Sequence, residues 1–322
     1  MNFSWVLIKS FEFNSLRILY LRIHILKFYK FEMRRFLKNT LREITFLKRL
    51  VRLVRKYYYS DPKFISILTT FEKYAPNSGG EPKLKSKLTK NTINGIFKSI
   101  NLLSKDLKNS ETNALKIEDL KLNKDEINSI KDLEILLNKY GSDKAYKHKY
   151  HILYGKLLTP RKEISNILEI GLGTNNTDLV SSMGKEGKPG ASLRAFRDFC
   201  ANAQVIGADI DKRILFKEDR IKTFYVDQTS NSSLNDFKNK FTNKFDLIID
   251  DGLHSPDANI NTLRVATTLI KNGGSIVIED INIKAIDIWM AMSNLLPSNI
   301  FKSQIIEAEG MLLFLVQKFS AK

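Results

Sequence analysis

Hydrophobic residues change between two spacings from about residue 164 to the end of the chain. Short apolar runs end at polar residues, and a segment with apolar positions three or four residues apart follows most of them. Strand and helix in such alternation predict a doubly wound α/β fold with a mostly parallel sheet. The predicted strands are 166–170, 204–209, 222–227, 246–250, 275–279, 303–307 and 311–317, and the predicted helices are 192–201, 233–241, 256–271 and 285–295.

The last two predicted strands are joined by the short connection Ala308-Glu309-Gly310. A connection of this length allows a hairpin and is too short for a crossover between parallel strands. The sequence therefore predicts that the final strand is antiparallel to its neighbour.

Residues 37–58 have a helical spacing of apolar residues with Lys and Arg largely at the other positions. Most of the chain's formal net charge of +17 comes from its first sixty residues. Such a basic amphipathic helix can pack on its own domain or on a second subunit of a homo-oligomer. It can also lie on an anionic membrane surface or bind nucleic acid. We favour packing over membrane contact and membrane contact over nucleic acid, and the sequence leaves all three open.

Composition also predicts where the protein resides and how it is divided. Charges interrupt every apolar run of the N-terminal segment, so we expect neither a membrane-spanning helix nor a signal peptide. The single cysteine, Cys200, fits a reducing compartment. We therefore expect a cytoplasmic protein, with peripheral contact at the inner membrane face as an option. The predicted divisions are a basic helical extension at 1–75, a linker and helical segment at 76–133 with turn-forming residues at 76–90, and an α/β domain at 134–322; Met33 is an alternative start.

Two predicted neighbouring strands end in acidic residues. Asp250 and Asp251 end the first, with His254 three residues further on, and Glu279 and Asp280 end the second. Because the carboxyl ends of parallel strands meet at one edge of a sheet, we expect these side chains to lie together. Carboxylates suit a hard cation such as Mg²⁺, and a histidine beside them suits a general base. The pattern predicts a metal-assisted active site.

Each of these residues also has a purely structural interpretation. Asp250 and Asp251 could cap the helix predicted to begin at residue 256, since acids stabilise helix N-termini. Glu279 and Asp280 could be ordinary polar residues of a turn, and His254 could be structural. We favour the structural interpretation for Asp250 and the functional one for the others.

The turn after the first predicted strand reads Glu169-Ile-Gly171-Leu-Gly173. Glycines there let a ligand approach the backbone closely. The third glycine of the dinucleotide fingerprint is missing, and the next acidic strand end, Asp209, comes later than the ~20 residues typical of NAD sites. Asp209 can accept hydrogen bonds from both ribose hydroxyls, and Asp227 can reach the adenine side. These residues favour an adenosine ligand without a pyrophosphate, of which S-adenosylmethionine is the best candidate.

Together these motifs resemble those of class I S-adenosylmethionine-dependent methyltransferases. The Asp-Asp-Gly-x-His motif at 250–254, with Glu279-Asp280, resembles more specifically the metal-dependent macrolide sugar O-methyltransferases of the mycinamicin type. The segment Tyr140-Gly141-Ser142-Asp143-Lys144 is similar to one that precedes the same domain in that family. The resemblance covers about residues 134–318 and implies a Rossmann-like methyltransferase domain.

The resemblance implies Mg²⁺-assisted methyl transfer from S-adenosylmethionine to a hydroxyl of a sugar, a glycosylated small molecule or a glycan. It makes His254 the general base and assigns Mg²⁺, or another divalent ion, to Asp251, Glu279 and Asp280. The implied cofactor-binding residues are Glu169, Gly171, Gly173, Asp209 and Asp227.

Two alternatives to this function stay open. A nucleic-acid methyltransferase could use the basic N-terminus to grip phosphate, although the Asn/Asp-Pro-Pro-Tyr/Phe signature of base methylation is missing. A non-catalytic protein could also use the same fold.

Overall fold

A computed structural model describes residues 62–108, 113–242 and 244–319. The predicted basic helix at 37–58 and Met33 lie outside the described residues, so the expectations attached to them remain predictions. Contacts within the chain divide it into two compact units, Met1–Asn94 and Gly95–Lys322. In the described parts no helix is long and apolar enough to span a membrane.

The described part of the first unit contains α1 (Pro62–Thr70), a single 3₁₀ turn (Glu72–Tyr74) and the beginning of α2 (Pro82–Lys108). Both helices begin with proline, whose fixed φ suits the first turn and whose missing N–H is not needed there. α2 therefore begins inside the linker predicted at 76–90, and only the residues before Pro82 form a non-helical connection.

In the second unit α3 (Lys124–Tyr140) has clear signals at both ends. Asn123 and Glu126 form a reciprocal capping box, in which the Asn123 side chain accepts the amide of Glu126 at 2.9 Å. Gly141, with φ +77°, ends the helix in the left-handed conformation that glycine adopts without strain. The chain then turns directly into α4 (Asp143–Tyr146), which Ser142 caps. α3 runs across the boundary predicted at residue 133.

The strands form one mixed sheet in the order β1-β8-β9-β7-β6-β2-β3-β5-β4. The strands from β7 to β5 in that order are parallel to one another, and β9 is antiparallel to both β7 and β8. The strands are β1 (Ala114–Lys116), β2 (Asn166–Ile170), β3 (Gln204–Asp209), β4 (Lys217–Glu218), β5 (Ile221–Tyr225), β6 (Phe245–Asp250), β7 (Ile270–Asn282), β8 (Phe301–Ala308) and β9 (Met311–Lys318). The remaining helices are α5 (His151–Leu157), α6 (Ala191–Phe199), α7 (Asn231–Lys238), α8 (Pro256–Leu269) and α9 (Ile286–Leu295).

Helices cover both faces of this sheet. One apolar core joins the sheet to α3, α5 and α6 through Leu133, Tyr154 and Phe196. The other joins it to α7, α8 and α9, with Phe237 and Trp289 among its buried members. The predicted doubly wound α/β fold with a final antiparallel strand is therefore confirmed. The short strands β1 and β4 were not predicted, because three and two residues are too few to show an alternating pattern.

Candidate active site

Acidic side chains from three parallel strands meet a lysine at the carboxyl edge of the sheet. Glu169 lies in β2, Asp251 directly follows β6 and Glu279 lies in β7. The Nζ atom of Lys144, at the start of α4, lies 3.1 Å from Glu169 Oε1 and 2.6 Å from Asp251 Oδ2, and it also donates to Glu279 Oε2. Lys144 is only 2% exposed. The short helix α4, which precedes β2 in the chain, thus supplies one positive charge to the acids of three neighbouring strands.

Lys144 favours the charged forms of Glu169 and Glu279, whereas Asp251 opposes both. Burial acts to lower the pKa of Lys144, but Asp251, Glu279 and Glu169 together raise it well above its ordinary value. The side chain is therefore an ammonium. Burial raises the pKa of Glu169, and Lys144 and the Ser192 hydroxyl, which donates at 2.6 Å, act in the opposite direction.

Two buried tyrosines hold the acids of β7 from the same side as Lys144. Tyr150 donates its hydroxyl to Asp280 Oδ1 at 2.5 Å, and Tyr154 donates its hydroxyl to Glu279 Oε1. Burial and the neighbouring acids raise the pKa of both phenols, so both stay protonated as donors. His148 stacks on Tyr150 with a ring-centroid distance of 5.0 Å.

A β-bulge lets two consecutive acids face one site. The register of β7 against β9 shifts by one residue between Ile278 and Ile281, and Asp280 has φ +50°. In a regular strand Glu279 and Asp280 would point to opposite faces of the sheet. The bulge re-aims the second of them. His254, with φ +57°, is also left-handed, and such backbone strain tends to collect at functional sites at a cost of about 1–3 kcal/mol each.

Asp251, His254 and Asp280 form a group that could hold a metal ion. One ligand atom from each lies within 4.8 Å of the others. His254 Nε2 is 3.8 Å from Asp251 Oδ1 and 3.8 Å from Asp280 Oδ2. The buried His254 Nδ1 has no hydrogen-bond partner. Two carboxylates suit a hard divalent cation, and the imidazole beside them can accept a proton, so the side chains present fit the predicted metal and base.

The predicted metal ligands are thus close together but are not equally open. Asp251 and Asp280 are each partly exposed, whereas Glu279 is 1% exposed and both of its oxygens accept hydrogen bonds from Lys144 and Tyr154. The assignments of Asp251, Glu279 and Asp280 as ligands and of His254 as base remain predictions.

An open cleft adjoins this group. Its lining includes the predicted cofactor-binding residues Gly171, Gly173, Asp209 and Asp227, together with Asp251. The predicted cofactor residue Glu169 does not line it, because its carboxylate is fully buried with Lys144 and Ser192. Four of the five predicted cofactor residues therefore share one cavity, and their roles remain predictions.

The cleft has a backbone wall that only glycine permits. Gly171 has φ +97°, and a Cβ atom there would lie 1.9 Å from the carbonyl oxygen of Asp251. Next to it, both oxygens of Asp209 are fixed, one accepting the amide of Leu172 at 2.7 Å and the other that of Asp211 at 2.8 Å. A carboxylate offers about four acceptor positions, so Asp209 can still accept two ligand hydroxyls.

Asp250 points into the protein. It is fully buried, accepts the Gln228 amide at 2.7 Å, and burial raises its pKa to about 6. Neither Asp250 nor Asp251 caps α8: the cap position is Ser255, which makes no side-chain capping bond. The helix-cap interpretation is therefore wrong for both residues, and Asp250 is instead a buried residue that Gln228 holds.

Sequence reasoning gave no role to Lys144, Tyr150, Tyr154 or Gln228. Lys144 belongs to the Gly-Ser-Asp-Lys motif, and that motif is the sequence feature from which a role for Lys144 could have been predicted. Gln228 lies between Asp250 and the amide of Leu253, which donates to its Oε1 at 2.9 Å. Nothing in the local sequence marks that bond, because it joins residues 25 positions apart.

No protein-family model matches the chain. Among curated proteins it is 28% identical over 144 residues to the 8-demethyl-8-alpha-L-rhamnosyl tetracenomycin-C 2'-O-methyltransferase of Streptomyces olivaceus, covering 44% of this chain and 36% of that protein. It is 29% identical over 121 residues to the demethylmacrocin O-methyltransferase of Streptomyces fradiae, covering 38% of this chain and 28% of that protein. The match thus spans about a third of the length of these relatives. The resemblance predicted from the motifs, to sugar O-methyltransferases, is confirmed by these relatives.

Among solved structures, the chain is similar to the MycE methyltransferase from the mycinamycin biosynthetic pathway in complex with Mg, SAH and mycinamycin VI. The identity is 21% and the TM-score 0.48, with 59% of this chain and 54% of that chain covered.

Proposed function

We propose that the chain is an S-adenosylmethionine-dependent O-methyltransferase that acts on a sugar hydroxyl with the help of a divalent cation. The observation that carries this proposal is the position of Asp251. It lines the cleft with Gly171 and Asp209 and also belongs to the group with His254 and Asp280. A methyl donor in the cleft would therefore adjoin the acids and the imidazole. The curated relatives support a sugar acceptor, since the name of the first includes a rhamnosyl group.

Different residues serve the methyl donor, the acceptor hydroxyl and the proton that leaves this hydroxyl. Gly171 and Gly173 leave room for the donor, Asp209 accepts its ribose hydroxyls and Asp227 lies on the adenine side. A divalent cation, when bound by the acids, would acidify a hydroxyl of the acceptor. His254 accepts the proton at Nε2. The acceptor oxygen forms a bond to the methyl carbon as the bond from that carbon to the sulfonium sulfur breaks.

Asp209→Ala is expected to weaken binding of S-adenosylmethionine by about 10- to 100-fold. The reason is the loss of two hydrogen bonds to a charged acceptor, each contributing about 1.5–3 kcal/mol before partial replacement by water. Calorimetric titration of the full chain measures the change. Asp219→Ala is the matched control, because the Asp219 side chain is 88% exposed and outside the cleft. If Asp209→Ala and wild type bind S-adenosylmethionine with equal affinity, the ribose does not lie at Asp209.

Methyl transfer is expected to stop when excess chelator is added and to return with Mg²⁺. The acids would then lack the ion that acidifies the acceptor hydroxyl. The assay follows labelled methyl from S-adenosylmethionine into a panel of rhamnosides. Asp280→Asn should reproduce the loss while leaving S-adenosylmethionine binding nearly intact, because Asp280 does not line the cleft. Full turnover in excess chelator would show an enzyme that needs no metal.

A further inference from the structure

The two partly exposed carboxylates of the candidate metal site, those of Asp251 and Asp280, are held in the same way. Asp251 accepts from Lys144 through Oδ2 and turns Oδ1 towards His254. Asp280 accepts from Tyr150 through Oδ1 and turns Oδ2 towards His254. Each acid thus has one oxygen fixed by a buried donor, Lys144 or Tyr150, and the other oxygen directed at the imidazole of His254.

Among the described residues, the donors that fix these oxygens are Lys144 and Tyr150. Both come from one short stretch, residues 144–154, which we call the positioning segment. Lys144, Tyr150 and Tyr154 are 2%, 1% and 0% exposed. The segment is anchored independently of the acids, since Ala145, Leu153 and Tyr154 lie in the same apolar core as α3. The donors therefore stand on a well-packed support. The acids do not have this advantage: Asp251 lies in a loop and Asp280 in a bulge.

We propose that the positioning segment sets the divalent-cation affinity of the site: Lys144 and Tyr150 hold one oxygen of Asp251 and Asp280 so that the other oxygens converge at one cation position beside His254. This inference rests on the proposed metal-assisted function. Lys144 and Tyr150 are buried behind the acids and donate to them, so they act as positioning residues. Partners of this kind orient ligands in metal sites, and their loss typically lowers metal affinity about 10- to 100-fold.

The decisive variant is Tyr150→Phe, which deletes one hydroxyl and leaves all charges unchanged. Mn²⁺ alone is titrated into the full metal-free chain by calorimetry, because Mn²⁺ shares the preference of Mg²⁺ for oxygen ligands. The expected result is an affinity about 10-fold or more below that of wild type. Tyr146→Phe is the matched control in the same segment, because Tyr146 is 70% exposed, and it should bind Mn²⁺ as wild type does.

A second variant tests the same inference through the other acid. Lys144→Arg keeps the positive charge but presents its donors in a wider planar group, so a drop in Mn²⁺ affinity reports position and not charge. Melting temperatures in chelator show whether each variant folds. Wild-type Mn²⁺ affinity in folded Tyr150→Phe or folded Lys144→Arg overturns the inference and reduces the segment to a structural role. If wild type itself does not bind Mn²⁺, the metal part of the proposed function fails instead.

Discussion

Replacing His254 by alanine is expected to lower kcat by about 10²–10⁴-fold, the usual contribution of a general base. Nε2 of His254 lies 3.8 Å from an oxygen of Asp251 and 3.8 Å from one of Asp280. An imidazole in that position can accept a proton from a hydroxyl held between the two acids. The loss should fall on kcat more than on KM, because proton transfer belongs to the transition state.

The variant must separate chemistry from backbone strain. His254 has φ +57°, which alanine adopts less readily than asparagine does. His254→Asn therefore preserves the local conformation and should show the same loss of kcat as His254→Ala. S-adenosylmethionine binding, measured by calorimetry, should change little in either variant. If His254→Asn retains near wild-type kcat on an accepted rhamnoside, another group is the base.

Lys144→Met is expected to lower the free energy of unfolding by about 3–5 kcal/mol, the typical cost of removing one partner from a buried ion pair. Methionine fills a similar volume, but it leaves Glu169, Asp251 and Glu279 without the ammonium that now lies among them. Glu169 and Glu279 are at most 1% exposed, so water cannot replace the lost cation. The two acids must then either take up protons or remain charged with only the neutral donors Ser192 and Tyr154 beside them.

Urea denaturation in the presence of chelator measures this effect without compensation by a bound metal. Lys147→Met is the matched control, because the Lys147 side chain is 61% exposed and its nearest acid, Asp143, lies 3.7 Å away. Exposed pairs of this kind contribute about 0–1 kcal/mol. If the two variants unfold at the same urea concentration, Lys144 does not stabilise the cluster in the way its contacts indicate.

The order of strands and helices could be predicted from the sequence because each depends on local periodicity. The strands that end at Ile170, Asp209 and Asp250 were predicted to their last residue. The helix at Pro256 was predicted to its first residue. The parallel order of neighbouring strands then brought their acidic ends together, as the general rule for such sheets requires.

The roles of adjacent acids could not be separated in this way. Asp250 and Asp251 are neighbours in the chain, yet Asp250 is fully buried against Gln228 and Asp251 faces Lys144 and His254. Alternation along a strand requires that consecutive side chains point in opposite directions. It does not say which of the two faces the site. Glu279 and Asp280 break this rule through a bulge that no residue type announces.

The sequence by itself determined the α/β alternation, the final antiparallel strand, the glycine turn at Gly171 and the set of acids at the strand ends. These features depend on neighbours in the chain or on one rule of sheet packing. Only the tertiary structure placed Lys144 among those acids, because Lys144 lies 107 positions before Asp251 and 135 positions before Glu279 in the chain. In the low dielectric of a buried site, such a cation strongly stabilises the charged acids around it. Its position depends on how α3, α4 and α5 pack against the sheet, which local periodicity does not specify.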